Sequence, residues 1–210
     1  WSSDVCSSDL PVTMIDINDA AVQRGIATLS GSLDRLVKKE KLSAAEREAA
    51  VARVTGSTNY EDLRGAQIVI EAATENPELK FKILRQVEGL VAEGTVIATN
   101  TSSISITQLA AVLARPERAI GLHFFNPVPM MALVEVIRGL QTSDATHALA
   151  VQFAQALGKT PITVKNSPGF VVNRILCPMI NEAIFVYAEG LASAEDIDTG
   201  MKLEIGRAHV

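Results

Sequence analysis

The sequence predicts an α/β fold: a mostly parallel sheet covered by helices on both sides, followed by an all-helical segment. Two observations carry this. Between Pro11 and Asn166, short β-branched runs that are apolar on both faces alternate with longer stretches at helical spacing, the pattern of strands buried between two helical layers. After Asn166 the remaining pattern is helical and no strand candidate follows.

The elements follow in order. PVTMID (11–16) reads as a short buried strand. A helix over about 18–41 is expected next, with Ile26, Leu29, Leu33, Leu36 and Val37 on one face. Ser43-Ala44-Ala45-Glu46 is a capping-box pattern that opens a second helix to about Val54, because each side chain can satisfy one orphan backbone donor. AQIVIEAA (66–73) is the next strand. Pro77 suits the first turn of a helix through about Ala92. TVIATN (95–100) is a third apolar run, followed by a helix over about 106–113. AIGLHFF (119–125) and LVEVIRG (133–139) are two strands joined by the turn-rich NPVPMMA. A helix over about 144–157 ends at Gly158 in a left-handed cap, and PITVKN (161–166) is the last strand. Helices over about 169–189 and 193–203 complete the pattern, with a domain boundary expected near Lys165–Pro168.

Composition excludes several functions. Nineteen basic against twenty-four acidic side chains give a net charge of −5, where a nucleic-acid binder needs a basic footprint. Aromatic residues at 4% are too few for a base-stacking platform. Cys6 and Cys177 do not make a disulfide framework, and no Cys/His cluster has metal-ligand spacing. No apolar run approaches the roughly 18–20 residues of a membrane span. A soluble protein of a reducing, cytoplasmic compartment is the expectation.

In an open α/β sheet, function collects where strands end at their carboxyl side. Asp16 closes the first strand. It suits either the two hydroxyls of an adenosine ribose or an ordinary helix N-terminus. Glu71 and Glu75 follow the second sheet strand and could equally be solvated loop acids. Asn100-Thr101-Ser102-Ser103 follows the third and reads first as capping chemistry. His123 with Glu135 is the more specific pair. A carboxylate flanked by Val134 and Val136 is costly unless paired. Bonded to one imidazole nitrogen it would fix the tautomer and leave the other nitrogen as a general base. A core histidine unrelated to an edge-strand glutamate is the bland alternative. His147 reads as a solvated surface residue and Cys177 as core rather than nucleophile.

The segments TNTSSISI, GLHFFNPVPMMALVEVI, SPGFVVNRIL and EDIDTGMKL, in this order and spacing, closely resemble the bacterial short-chain 3-hydroxyacyl-CoA dehydrogenases, nearest their 3-hydroxybutyryl-CoA branch. The resemblance runs from about Pro11 to Leu203. It implies an incomplete Rossmann-type doubly wound sheet over 11–166 that binds NAD. The start of a helical substrate and dimerisation domain is implied over 167–203. The implied reaction is reversible oxidation of an (S)-3-hydroxyacyl-CoA. His123 matches the catalytic base, Glu135 its carboxylate partner, Ser102 the serine on the substrate's 3-oxygen and Asn173 the substrate-positioning asparagine. Asp16 matches the ribose-binding acid, with Glu75, Lys80, Asn126 and Ser102 lining the NAD site. Ser32 and Lys39 match contacts to coenzyme A, as Ser102 does to the acyl substrate. Lys39 also suits the phosphate charges of coenzyme A.

The family pattern opens with a strand and a G-x-G-x-x-G turn, expected before Pro11 and missing from WSSDVCSSDL. Residues 1–10 and 204–210 depart abruptly from the pattern and are expected to be non-native tails. Partners implied are an acyl-CoA substrate and, for the intact parent, a second copy in a homodimer, with neither nucleic acid nor membrane. Three alternatives stay open: a section of a multifunctional fatty-acid oxidation protein, a non-catalytic relative, and another NAD-dependent hydroxyacid dehydrogenase.

Overall fold

The computed structural model describes residues 10–204 and 206; most of the two expected tails lies outside the described residues. The chain divides into two compact units between Pro168 and Gly169.

The first unit begins with β1 (Val12–Ile15) and α1 (Asp19–Lys38). Asn18 caps α1 by accepting the Ala21 N–H, Asp19 sits in the first turn, and Arg35 and Lys38 sit in the last. Both arrangements satisfy the helix dipole. α2 (Ala44–Ala52) has the full capping box: the Ser43 hydroxyl accepts from Glu46 N at 3.2 Å, and Ser43 N donates to Glu46 at 2.8 Å. Leu29 and Leu33 of α1 bury against Ala50 of α2. β2 (Val54–Ser57) then pairs parallel to β1 from Val12↔Val54 to Ile15↔Ser57. The apolar pattern does not reveal β2, because Thr55, Gly56 and Ser57 make no hydrophobic run. Its glycine has a packing reason: a Cβ at Gly56 would lie 2.3 Å from Val22 Cγ1 on α1.

The larger sheet has five strands: β3 (Ile68–Glu71), β4 (Val96–Thr99), β5 (Ala119–Phe124), β6 (Leu133–Arg138) and β7 (Thr160–Lys165), in that spatial order. All neighbours are parallel except β5 and β6, so β6 and β7 run against the other three. α3 (Pro77–Glu88) and α4 (Ile106–Ala110) cover one face; α5 (Asp144–Ala156) covers the other. Alternation along each strand divides the core. Val96, Ala98, Ile120, Leu122, Val134 and Val136 pack with Ala150 and Ala154 of α5, while Ile97 and Ala119 pack with Leu84, Val87 and Leu109. β4, β5 and the centre of β6 are buried on both faces, which is why they read as apolar runs. Gly158 follows α5 at φ +71°, the left-handed conformation that glycine adopts without a Cβ clash.

The second unit contains α6 (Val172–Ala188) and α7 (Ala194–Leu203), with Ser193 capping α7. Neither helix has a buried residue among those described. Ile175, Ile180, Ile184, Phe185 and Tyr187 of α6 are exposed. Cys177 is exposed too, contrary to its reading as a core residue. Among the described residues no helix is long and apolar enough to cross a membrane.

Candidate active site

The antiparallel register of β5 and β6 sets His123 directly opposite Glu135. Both side chains leave the sheet on the face away from Leu122, Val134 and Val136. Glu135 has no solvent exposure and His123 only 4%. The imidazole Nδ1 lies 2.7 Å from Glu135 Oε2. An ionised carboxylate only accepts, so Nδ1 carries the proton and Nε2 presents its lone pair when the ring is neutral. Nε2 stands 3.1 Å from the Ser102 hydroxyl. Phe125 tilts against the imidazole at a centroid distance of 4.5 Å. The linear array is therefore hydroxyl, imidazole, buried carboxylate, the order a general base with an orienting partner requires.

Ser102 reaches this position from the loop after β4. Asn100 accepts the Phe124 N–H at 2.9 Å and donates its own N–H to the Glu71 carbonyl at 2.8 Å, tying the ends of β3, β4 and β5 together. Glu75, in the loop after β3, accepts from the Thr101 hydroxyl at 2.7 Å, Ser103 hydroxyl at 3.2 Å and Ser102 N–H at 3.3 Å. Burial pushes the Glu75 carboxyl up, but the bonds from Thr101, Ser102 and Ser103 and the nearby Lys80 charge outweigh it. The net result holds the carboxyl below the usual glutamate range.

Glu71 and Lys80 behave differently from the sequence reading. Glu71 ends β3 at 5% exposure, so it is not a solvated loop acid. Its Oε2 accepts from Lys80 Nζ at 2.6 Å and from the Thr99 hydroxyl at 2.7 Å, and its Oε1 accepts from Ala73 N at 2.7 Å. Lys80, expected to line a cofactor surface, is 1% exposed with its ammonium turned onto Glu71. Lys80 and Thr99 carry no local signal of this contact, since Thr99 is 28 residues from Glu71.

Asp16 follows β1 as an exposed carboxylate, accepting the Ile17 N–H at 2.7 Å. Tyr60 stands close enough that burial, then the charges of Asp16 and Glu71, push its phenol up. Asn126 is exposed just beyond β5. Ser32 lies on α1, donating to the Thr28 carbonyl at 3.0 Å and accepting from Arg35 at 2.8 Å, and Lys39 is the exposed C-cap of that helix. Asn173 is half-buried in the first turn of α6, in the second unit. Thus Ser102, His123, Glu135 and Glu75 converge, while Ser32 and Lys39 lie apart on α1. His147 stands at the surface, half-buried, with Nε2 2.9 Å from the Thr163 hydroxyl, and burial followed by the Arg138 charge lowers its pKa.

Comparison with known proteins matches residues 1–167 to the NAD binding domain of 3-hydroxyacyl-CoA dehydrogenase and residues 169–209 to its C-terminal domain. A 3-hydroxybutyryl-CoA dehydrogenase of Clostridioides difficile is 47% identical over 87% of this chain and 65% of its own length. The α subunit of a fatty acid oxidation complex from Acinetobacter baylyi is 44% identical over 93% of this chain and 27% of its own length. The crystal structure of an (S)-3-hydroxybutyryl-CoA dehydrogenase from Ralstonia eutropha superimposes with a TM-score of 0.93 at 64% identity. That match covers 97% of this chain and 72% of the other. The chain spans 65–67% of the length of the 3-hydroxybutyryl-CoA dehydrogenases from Clostridioides difficile, Bradyrhizobium diazoefficiens and Bacillus subtilis. With its Rossmann-type α/β unit and the matches to both parts, the chain belongs to the 3-hydroxyacyl-CoA dehydrogenase family.

Proposed function

We propose that this protein catalyses the reversible NAD-dependent oxidation of a short-chain (S)-3-hydroxyacyl-CoA, such as 3-hydroxybutyryl-CoA, to the 3-oxoacyl-CoA. The observation that carries the reading is the Ser102–His123–Glu135 array, with 3.1 Å and 2.7 Å contacts and the histidine and glutamate buried. Residues 11–166 form the NAD-binding domain in this reading, and 167–203 begin the helical substrate domain.

The side chains present fit a nicotinamide dinucleotide. Asp16 is an exposed carboxylate at the carboxyl end of a parallel strand, where it can accept from ribose hydroxyls and repel a 2′-phosphate. Glu75 and Asn126 occupy loops after β3 and β5 and line the same site. When bound, the nicotinamide ring supplies the hydride acceptor.

His123 Nε2 takes the proton of the substrate's 3-hydroxyl, and Ser102 holds that oxygen by hydrogen bonding. Glu135 stays ionised and stabilises the imidazolium that forms. In the reverse direction His123 returns the same proton. Asn173 positions the acyl group, and Ser32 and Lys39 bind coenzyme A through polar and phosphate contacts. A cytoplasmic location belongs to this reading, as does a homodimer of the whole protein; the exposed apolar face of α6 supports the dimer.

Oxidation of NADH and NADPH with acetoacetyl-CoA and with free acetoacetate tests the assignment. Turnover is expected with NADH and the thioester, with little on NADPH or the free acid. Equal turnover on free acetoacetate would move the protein to another class of hydroxyacid dehydrogenase. Acyl-CoA binding without turnover would favour a non-catalytic relative. A second reading, the dehydrogenase section of a larger oxidation protein, draws on the match to the Acinetobacter baylyi α subunit. The mass of the native protein on an immunoblot decides between them.

A further inference from the structure

Thr101, Ser102 and Ser103 are three consecutive hydroxyl residues, and the structure sorts them by direction. The hydroxyls of Thr101 and Ser103 both reach Glu75 Oε2, at 2.7 and 3.2 Å. The middle residue gives Glu75 only its backbone N–H, and its hydroxyl stands 3.1 Å from His123 Nε2 instead. Thr101 is fully buried, and its oxygen also accepts from Ser103 N at 3.2 Å and Ile104 N at 3.0 Å, which closes the turn on itself. Beyond the end of β4 these groups have no ladder partner. Glu75 replaces one, drawing the donors onto a single side chain.

Such convergence requires an ionised carboxylate, which only accepts. The nearby Lys80 charge favours that ionised form; Lys80 is itself held by Glu71, which also holds Thr99 at the end of β4. Two adjacent strand ends are thus stitched by two acids and one buried cation.

We propose that Glu75 is a positioning residue for Ser102: by anchoring the residues on either side, it aims the Ser102 hydroxyl at His123 Nε2. The inference rests on the proposed roles of Ser102 and His123, and adds a function for Glu75 that operates before any cofactor arrives.

Imidazole ¹⁵N NMR on the ligand-free chain tests it without turnover, so cofactor contacts of Glu75 do not enter. Ser102→Ala is expected to move the His123 Nε2 resonance. Glu75→Gln should move it the same way, Glu75→Asp should restore part of the wild-type position, and Glu75→Gln added to Ser102→Ala should add nothing. An Nε2 resonance unchanged by Glu75→Gln, while Ser102→Ala shifts it, overturns the proposal. So does a resonance that neither substitution moves, because Ser102 would then not meet the ring. In turnover, Glu75→Gln is expected to lower kcat about 10-fold alone and less than about twofold in the Ser102→Ala background, since residues acting through one contact are non-additive. Absence of dehydrogenase activity with the NMR response intact would remove the proposed reaction and leave the positioning role standing.

Discussion

One sheet carries two buried carboxylates with different partners. Glu135 on β6 faces an imidazole, whose charge can change, and that imidazole meets a serine hydroxyl. Glu71 on β3 faces Lys80 and a threonine, with the ammonium 2.6 Å away. Both satisfy the requirement that a buried charge be paired. In the proposed reaction the imidazole of the first pair is the proton carrier, whereas the second pair ties the Lys80 ammonium and Thr99 to the end of β3. Burial of an acid in a strand therefore does not identify chemistry; the kind of side chain it meets, and what that side chain meets in turn, does.

Substitutions can separate the two. The largest effect is expected at Glu135. Glu135→Gln keeps an oxygen for the Nδ1 proton but removes the charge that stabilises imidazolium, so kcat should fall by about 10²–10⁴-fold, with folding cooperativity retained by circular dichroism. A loss below about threefold would erase the distinction. Lys80→Met should instead act on stability. Removing one partner of a buried pair costs about 3–5 kcal/mol, read as a lower urea midpoint, and adding Glu71→Leu should recover much of that loss. A double variant no better than Lys80→Met would argue that Glu71 matters for more than its charge pairing.

A smaller effect is expected at the exposed capping box, remote from both pairs. Ser43→Ala should cost about 1 kcal/mol of stability and leave the His123 resonances unchanged. The smallest concerns acid. The Glu75 carboxyl is held below its ordinary range, so its contribution to stability is present above the unfolded value and lost as pH falls through the folded one. Its ¹³C carboxyl resonance should titrate below that of an unstructured glutamate. A midpoint at or above the unstructured value would contradict the hydrogen-bond cluster around it.

The sequence made β5 and β6 legible because both are apolar runs, and the cost of a carboxylate between Val134 and Val136 singled out Glu135 with His123; the family motifs then gave the pair its expected roles. Their register makes them direct neighbours. β2 was not legible: Thr55-Gly56-Ser57 has no apolar signature, and its place depends on how closely α1 packs on Gly56. Glu71 and Glu75, four residues apart, gave the same local signal. Which one is buried depends on where the Lys80 ammonium turns and on Thr99, which lies 28 residues from Glu71. Cys177, read as core, is exposed for a related reason, since helical periodicity gives a face but not what covers it.

Single-turnover oxidation of NADH by acetoacetyl-CoA reads whether the proton passes through His123. Wild type and His123→Gln would be mixed under identical conditions after matching their unfolding midpoints. The expected result is a reduction rate about 10²–10⁴-fold lower in the variant, with acetoacetyl-CoA still bound. A folded His123→Gln protein that oxidises NADH at close to the wild-type rate would contradict the account.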